Sequence, residues 1–151
     1  MKTFEELKED LLERAKKHNA CQDGYRMGLN AKSKQDLLKA ITDNWYWVLS
    51  ASKMIDANYL ENNFSEEELA EAGIYTRKEH TSNAKSFACG SATVEAYDNS
   101  YVEDCTGNIN TVSDHGIVKD YYNHKIYIKK GKFEIIEIEL IQGLSLSVER
   151  P

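Results

Sequence analysis

The sequence predicts an α+β protein, in which an N-terminal helical subdomain precedes a C-terminal β-helix-like or meandering β-sheet region. Apolar residues recur at helical spacing as far as Gly73, whereas the chain beyond is rich in Tyr, Thr, Val and Ser and has no helix-length stripe. An eight-residue unit, Thr93 to Ser100, is echoed by Tyr101 to Asn108 and again by 117–124. We expect one compact body with three parts: a helical subdomain (1–73), a connector (74–84) and a β-repeat region (85–151).

Composition and charge narrow the classes of function. The chain has 151 residues, a formal charge of −6 and a pI near 5.3. Direct nucleic-acid binding through an excess of Lys and Arg is therefore not expected. We find neither the apolar core of a signal peptide nor an apolar run of about 18 residues. These observations predict an ordered cytoplasmic protein that does not enter a membrane.

Helix-capping residues and apolar residues at helical spacing predict the first two helices. A capping box begins at Thr3, and the helix should end near Asn19, which can take the left-handed conformation. Its apolar stripe consists of Phe4, Leu7, Leu11 and Ala15. A second short helix is predicted over 21–29, where Gly24 and Gly28 lie one turn apart and would let neighbouring backbone approach closely.

The third helix should begin after Ser33, whose hydroxyl is a good N-cap. Its predicted buried side comprises Leu37, Leu38, Ile41, Trp45, Val48 and Leu49, with a break at 42–44. Trp45 and Trp47 point to different faces of a helix, so we do not expect both to be equally buried.

Two shorter helices and a polar connector complete the first half. One helix is predicted over 56–62, and another should begin at the capping box of Ser65 and end at Gly73. The polar stretch 78–85 is predicted to be a connector, with strands beginning near Ser86.

Strand alternation assigns an inward or outward direction to each position of the repeat. The inward positions are Val94, Ala96 and Val102, and the outward positions are Glu95, Tyr97 and Glu103. Glu95 and Glu103 are therefore expected on one exposed ladder, where paired carboxylates could serve either acid–base chemistry or solubility.

The repeat decays and then gives way to regular alternation. Asn110 stands where the third unit should have a valine. Residues 125–129 and 132–140 alternate on either side of a Lys130-Gly131 turn, which predicts a hairpin with charged residues on its solvent side. A final strand over 144–148 would cap the stack.

Three cysteines are an odd number without a CxxC pair, which suits free thiols in a reducing compartment. Cys89 and Cys105 lie two units apart in the same column of the repeat. If one coil takes two units, they would stack about 4.8 Å apart. That spacing is compatible with free thiols in a ladder or with a disulfide.

Two segments resemble uncharacterised proteins of bacteriophages and bacterial mobile elements. Ala20-Cys21-Gln22-Asp23-Gly24-Tyr25, the run from Asn30 to Leu38 and Trp45-Tyr46-Trp47 resemble a small helical module of such proteins. The run from Ala92 to Ser100 resembles the TVEAYDNS octads of phage-encoded β-helical proteins. The octad is clear only twice here, whereas it usually recurs many times in that group. The resemblance implies a phage or prophage context, a bacterial host cell and a right-handed β-helix-like stack, and it carries over no catalytic residues.

Several residue sets could carry chemistry, and each also has a structural explanation. His115 and His124, with Asp114, Asp120 and Cys105, could bind a metal or could be solvated turn residues. Cys21 near His18 could be a nucleophile with its base, or part of the core. The basic cluster beside Trp45 could contact nucleic acid or be a solvated helix face; it consists of Arg26, Lys32, Lys34 and Lys39. We predict no catalytic residues, no metal and no cofactor.

Tyrosine offers the strongest indication of function. Nine tyrosines are many for this chain length, and tyrosine is enriched at binding surfaces as well as in strands. The predicted partner-binding residues are Tyr97, Tyr101, Tyr121, Tyr122, Tyr127, Glu95, Glu103 and Trp47.

Three functions are compatible with these observations. The first is a non-enzymatic module that binds a bacterial host protein or complex, in particular an inhibitor of a bacterial defence system of the anti-CRISPR type. The second is a structural component of a phage particle or tail that forms homo-oligomers through the β stack. The third is a small metal-dependent hydrolase or nuclease.

Overall fold

A computed structural model of the protein describes residues 1–77, 79–82, 84–108 and 111–129, with the backbone alone for 79–82. In these residues five α-helices and a π-helical turn come first, and eight short strands follow. The predicted α+β class is confirmed. No helix among them is long and apolar enough to cross a membrane. Asn110, the hairpin strand 132–140 and the final strand 144–148 lie outside the described residues.

The helices begin and end close to the predicted caps. They are α1 (Phe4–Lys17), α2 (Gln22–Leu29), α3 (Lys34–Asp43), the π-helical turn (Trp47–Ala51), α4 (Ala57–Asn63) and α5 (Glu66–Glu71). Thr3 and Ser65 both form complete capping boxes. Asn19 and Gly73 take the predicted left-handed conformation, with φ of 60° and 76°. The neighbours at Gly24 and Gly28 are side chains rather than the predicted backbone.

The helices share one large apolar core. Its most completely buried side chains include Leu7, Leu37, Leu38, Trp45, Leu60 and Phe64. Trp45 is 1% exposed, whereas Trp47 is half-buried, so the predicted difference between the two tryptophans is confirmed. Such burial of large apolar side chains is the main stabilising term for the helical half.

Strands from successive segments alternate between two sheets. The strands are β1 (Ile74–Tyr75), β2 (Glu79–Ser82), β3 (Lys85–Ala88), β4 (Val94–Tyr97), β5 (Tyr101–Asp104), β6 (Thr111–Val112), β7 (Ile117–Asp120) and β8 (Lys125–Ile128). One sheet has the order β1-β3-β5-β7-β8 and the other β2-β4-β6. All pairs are parallel except β7 with β8. Lys85 pairs with Tyr101 and Tyr101 with Ile117, so paired residues of β3, β5 and β7 lie 16 positions apart. Paired residues of β1 and β3, such as Ile74 and Phe87, lie 13 positions apart.

The prediction that strands begin near Ser86 after a polar connector is wrong. β1 and β2 precede that residue and pair with β3 and β4. The two residues of β1 are too few to show a period. β2 consists of polar residues, so it lacks the apolar alternation that predicts a strand, although its backbone pairs with β4.

The space between the sheets is narrow and filled by small side chains. The buried apolar residues there are Ala88, Ala92, Val94, Ala96, Val102 and Val118. Asp104 and Asp120 are also buried, and each carboxylate accepts hydrogen bonds from the turn that follows it. The predicted inward positions Val94, Ala96 and Val102 are confirmed.

The helices pack against the side of the five-stranded sheet. The Trp45 ring lies 5.5 Å from the Phe87 ring, and its Nε1 donates to the Ala88 carbonyl at 3.3 Å. Farther along the same sheet, the rings of Tyr46 and Tyr121 lie 4.8 Å apart. One broad side of the strands is thereby partly covered, and the described part of the chain leaves the rest of that side open.

Candidate functional site

The outer face of the five-stranded sheet is the side turned away from β2, β4 and β6. Alternation places one set of side chains between the sheets and the other set on this face. The outward set comprises Lys85, Phe87, Tyr101, Glu103, Ile117, Lys119, Ile126 and Ile128. The face therefore mixes aromatic, aliphatic and charged groups, as binding surfaces do.

Helices cover one part of this face and leave another part open. Phe87 is buried under Trp45, whereas the side chains farther along the sheet retain solvent contact. We call these residues the open patch: Tyr101, Ile117, Lys119, Ile126 and Ile128. Ile126 and Ile128 are 64% and 63% exposed, which is high for isoleucine on a strand. Adjacent exposed apolar side chains of this kind are typical of interaction surfaces.

A hydrogen-bonded and ion-paired group lies beside the open patch. Lys85 Nζ lies 3.2 Å from a carboxylate oxygen of Glu103, and the Tyr121 hydroxyl donates to the other oxygen at 2.7 Å. Lys119 Nζ lies over the Tyr121 ring, 5.0 Å from its centroid. These contacts restrict the rotamers of both aromatic and charged side chains. Less side-chain entropy is then lost when a partner binds.

The electrostatics of this group keep both tyrosines neutral at ordinary pH. Burial, the hydrogen bond to Glu103 and the charge of Glu103 raise the pKa of Tyr121. Burial and the Glu103 charge also raise the pKa of Tyr101, against the opposing effect of Lys85. Both phenols therefore present hydroxyl donors rather than phenolates.

The predicted partner-binding tyrosines do not share one surface. Tyr101 and Tyr121 lie on the outer face, and Tyr122 is an exposed turn residue that packs over Gly107. Tyr97 is on β4 in the other sheet. Tyr127 points inward, because it pairs with buried Val118, and its hydroxyl donates to Asp120 at 3.3 Å.

The prediction that Glu95 and Glu103 share one ladder is wrong. Glu95 is on β4 and pairs with residues 80 and 111, whereas Glu103 is on β5 and pairs with Phe87 and Lys119. Consecutive eight-residue units go to opposite sheets, so residues eight apart never become neighbours in a ladder. The two carboxylates cannot act as a catalytic pair.

The predicted solvent side of residues 125–129 also needs correction. We expected charged residues there, but the outward positions of β8 are Ile126 and Ile128. The register with β7 places Tyr127 over the narrow interior, where Asp120 satisfies its hydroxyl. Tyr46 is not among the predicted partner-binding residues, yet it is 41% exposed and its ring lies 4.8 Å from the Tyr121 ring at an angle of 43°. Trp47, by contrast, is half-buried among the helices.

The other candidate residues do not converge. His115 and His124 occupy exposed turn positions, as predicted. The described residues contain no group of three or more His, Cys, Asp and Glu side chains placed to hold a metal. The basic cluster is dispersed, because Arg26 pairs with Asp23, Lys34 with Glu68 and Lys39 with Asp43.

The three cysteines are free. Burial raises the pKa of Cys105 to about 11, although a hydrogen bond with Ser50 opposes this shift. Burial also raises the pKa of Cys89, to which the neighbouring Cys105 contributes. Cys21 is exposed, and its sulfur caps α2 by accepting from the Gly24 N–H.

Comparisons with protein-family models, with curated protein sequences and with solved structures found no match. The resemblance to phage and mobile-element proteins therefore stays a prediction.

Proposed function

We propose that this protein is a non-enzymatic binding protein that acts by covering part of the surface of a bacterial host protein. The open patch is the observation that carries the proposal. It combines two largely exposed isoleucines with a tyrosine whose neighbours restrict it. Apolar area supplies affinity for a partner, and Lys119 favours a partner with acidic groups at the rim.

We further infer that the two sheets form a short β-helix-like stack, in which the coils after residue 84 take 16 residues each. The earlier pairings are shorter, because Ile74 pairs with Phe87 and residue 79 with Val94. Support comes from the parallel registers, in which Tyr101 pairs with Ile117 and Glu95 with Thr111. Asp98 and Asp114 recur at the same interval, both with positive φ. A stack of this kind holds its side chains on a rigid backbone, which suits a preorganised binding surface.

The proposed setting is the cytoplasm of a bacterium that carries a phage or mobile element. Within that setting, the specific function we propose is inhibition of a bacterial defence system, of the anti-CRISPR type. The resemblance of the octads and of the helical module supports this setting, together with the small size and net charge of −6.

One observation favours the alternative of a particle component that oligomerises. β8 is an edge strand of the described sheet, and its outward isoleucines are exposed. Unpaired strand edges are templates for pairing with another chain. Light scattering during size-exclusion chromatography separates the two functions, because an obligate trimer supports the particle component and a monomer supports the inhibitor.

The open patch is tested with a pair of matched charge variants. The patch variant combines Lys119→Glu with Ile128→Asp, and the control combines Glu95→Lys with Thr111→Lys on the other sheet. All four side chains retain solvent contact, so we expect both variants to fold. In a bacterium with an active defence system, wild-type protein and the control should restore phage plaques, and the patch variant should not.

A host protein captured by wild-type bait should bind the control equally and bind the patch variant at least about tenfold more weakly. Equal capture by both variants would remove the open patch from the proposal. If wild-type protein restores plaques against none of the defence systems tested, the proposed inhibitor function is wrong.

A further inference from the structure

Two of the three cysteines occupy neighbouring positions in one ladder of the five-stranded sheet. Ala88 at the end of β3 pairs with Asp104 at the end of β5. The Cys105 N–H donates to the Ala88 carbonyl at 3.0 Å, which is the hydrogen bond that continues a parallel ladder by one residue. Cys89 therefore lies directly beside Cys105, although neither residue belongs to a strand.

The two thiols lie on the same side of the sheet, at a separation that a disulfide can span. Ala88 and Asp104 are buried on the interior side, so alternation turns the next residue of each strand toward the helices. Cys89 and Cys105 accordingly both pack in the helical core. Neighbouring strands are about 4.8 Å apart, and the Cα atoms of disulfide-bonded cysteines are about 4.4–6.8 Å apart. The backbone positions therefore already permit a bridge.

The two thiols differ in their access to solvent. Cys105 is half-buried, whereas Cys89 is 3% exposed. A small oxidant therefore reaches Cys105 more readily, and Cys89 is in place to resolve the oxidised product. Burial raises the pKa of Cys105 to about 11, against the effect of a hydrogen bond with Ser50, so little thiolate is present at neutral pH. The first step is consequently slow and needs sustained oxidation.

We propose that Cys89 and Cys105 are an oxidation-sensitive pair that hydrogen peroxide converts to a disulfide. The Cys105 thiolate attacks one oxygen of the peroxide, which forms a sulfenic acid and releases hydroxide. The Cys89 thiolate then attacks the Cys105 sulfur, forms the S–S bond and expels a second hydroxide. The two hydroxides leave as water with the two thiol protons, and the sulfurs supply the two electrons that reduce the peroxide. A thiol reductant such as glutathione reverses the reaction by exchange.

The cross-link joins two successive segments of the sheet beneath the helices. It closes the chain between Cys89 and Cys105, which includes β4 and β5, and so restricts the unfolded state. It also turns the Cys105 sulfur away from Ser50 on the π-helical turn. Disulfides of cytosolic proteins are usually transient and redox-sensing, which fits a pair that is reduced in the resting protein. This pair is independent of the open patch and of the binding function proposed above.

The test uses Cys21→Ser protein, which leaves Cys89 and Cys105 as the only thiols. Serine is a preferred N-cap, so this variant keeps the cap of α2. The protein is oxidised with hydrogen peroxide at about pH 9, where more of the thiol is ionised, then alkylated and digested with a protease that cleaves after glutamate. Cleavage at Glu95 and Glu103 separates the two cysteines. We expect their fragments to stay joined until dithiothreitol is added, with the mass of two hydrogen atoms lost.

Variants separate the two thiols. Cys89→Ala in the same background removes the resolving thiol, so peroxide should stop at a Cys105 sulfenic acid that dimedone traps. The parent protein should give the disulfide with little dimedone adduct. Cys105→Ala replaces Cys89→Ala if that variant fails to fold, and its buried thiol should be oxidised at least about tenfold more slowly than the parent pair.

Thermal unfolding provides a second measurement. Oxidation should raise the Tm of the parent protein by about 5 °C, because the cross-link restricts the unfolded chain. The Tm of Cys89→Ala should not rise. Fragments that do not stay joined, equal dimedone labelling of the parent and Cys89→Ala, or a Tm that fails to rise with the disulfide would each overturn the proposal.

Discussion

The helical half and the strand half of this protein build their interiors in different ways. The helical core buries large side chains such as Trp45, Leu60 and Phe64, almost wholly apolar. The space between the sheets instead contains small apolar residues together with the buried carboxylates of Asp104 and Asp120. Two sheets that face each other at close range leave no room for larger groups, and the tight turns between them need polar partners for their N–H groups.

This difference bears on where a partner can bind. The interior between the sheets is filled, so the strands can offer a partner only the outward faces of the two sheets, one of which carries the open patch. The helices pack large side chains at several angles and leave an apolar groove among them, which Gly24 and Gly28 help to line. The binding surface proposed above therefore lies on the strands, outside their tightly packed interior.

Trp45 joins the two halves, and its removal should have the largest effect. Its ring contacts Phe87, and its Nε1 donates to Ala88. Trp45→Ala should lower the free energy of unfolding by about 3–5 kcal/mol, because a large cavity replaces the ring. Urea denaturation measures the loss, with Trp47→Ala as control. The control should lose less, since Trp47 is half-buried. A larger loss for Trp47→Ala would show that the connection between the halves lies elsewhere.

Two glycines test whether the strand interior is the more tightly packed region. A Cβ at Gly116 would collide with the backbone carbonyl of Ala96, whereas a Cβ at Gly24 has room. Gly116→Ala should therefore destabilise the protein by about 1–3 kcal/mol. Gly24→Ala should be neutral or stabilise it by up to about 1 kcal/mol. Thermal unfolding of both variants gives the comparison. If Gly24→Ala destabilised the protein and Gly116→Ala did not, the space around Gly24 among the helices, not the strand interior, would be the more tightly packed.

The sequence predicts the helices well because their signals are local. A capping box needs only the four residues from Thr3 to Glu6, and the apolar stripe of α1 follows from the period of a helix. The inward positions Val94 and Ala96 were equally predictable, since alternation along one strand is also local.

What the sequence could not predict depends on pairing between distant segments. The octads do not say which sheet each one joins, so the sequence predicts Glu95 and Glu103 on one ladder although they are on opposite sheets. The sequence also predicts Tyr127 on the solvent side, because alternation defines two faces of a strand without saying which face is buried. The register with Val118 decides that question. The open patch could be predicted only in part, through Tyr101.

The smallest of the three expected effects is on how the free energy of unfolding falls at alkaline pH, and it compares two similar tyrosine–carboxylate hydrogen bonds. Tyr59 donates to Asp10 at 2.6 Å in the helical half, and Tyr121 donates to Glu103 at 2.7 Å on the sheet. Burial and Asp10 raise the pKa of Tyr59 above its ordinary value of 10.0. The folded protein then holds this proton more tightly than the unfolded chain. The resulting stabilisation is complete below pH 10 and declines as the pH rises toward the folded-state pKa.

Tyr59→Phe should therefore lose stability less steeply than wild-type protein between about pH 9 and pH 11. Tyr121→Phe should change that slope less, because solvent screens its half-exposed hydroxyl. Cys105, with a pKa raised to about 11, adds the same trend to wild-type protein and to Tyr59→Phe. In Tyr121→Phe its contribution differs, because Cys105 and Tyr121 interact electrostatically. Urea denaturation at several pH values gives the slopes. A shallower slope for Tyr121→Phe than for Tyr59→Phe would mean that alkaline sensitivity belongs to the outer face of the sheet, with Glu103 more shielded from water than its contacts indicate.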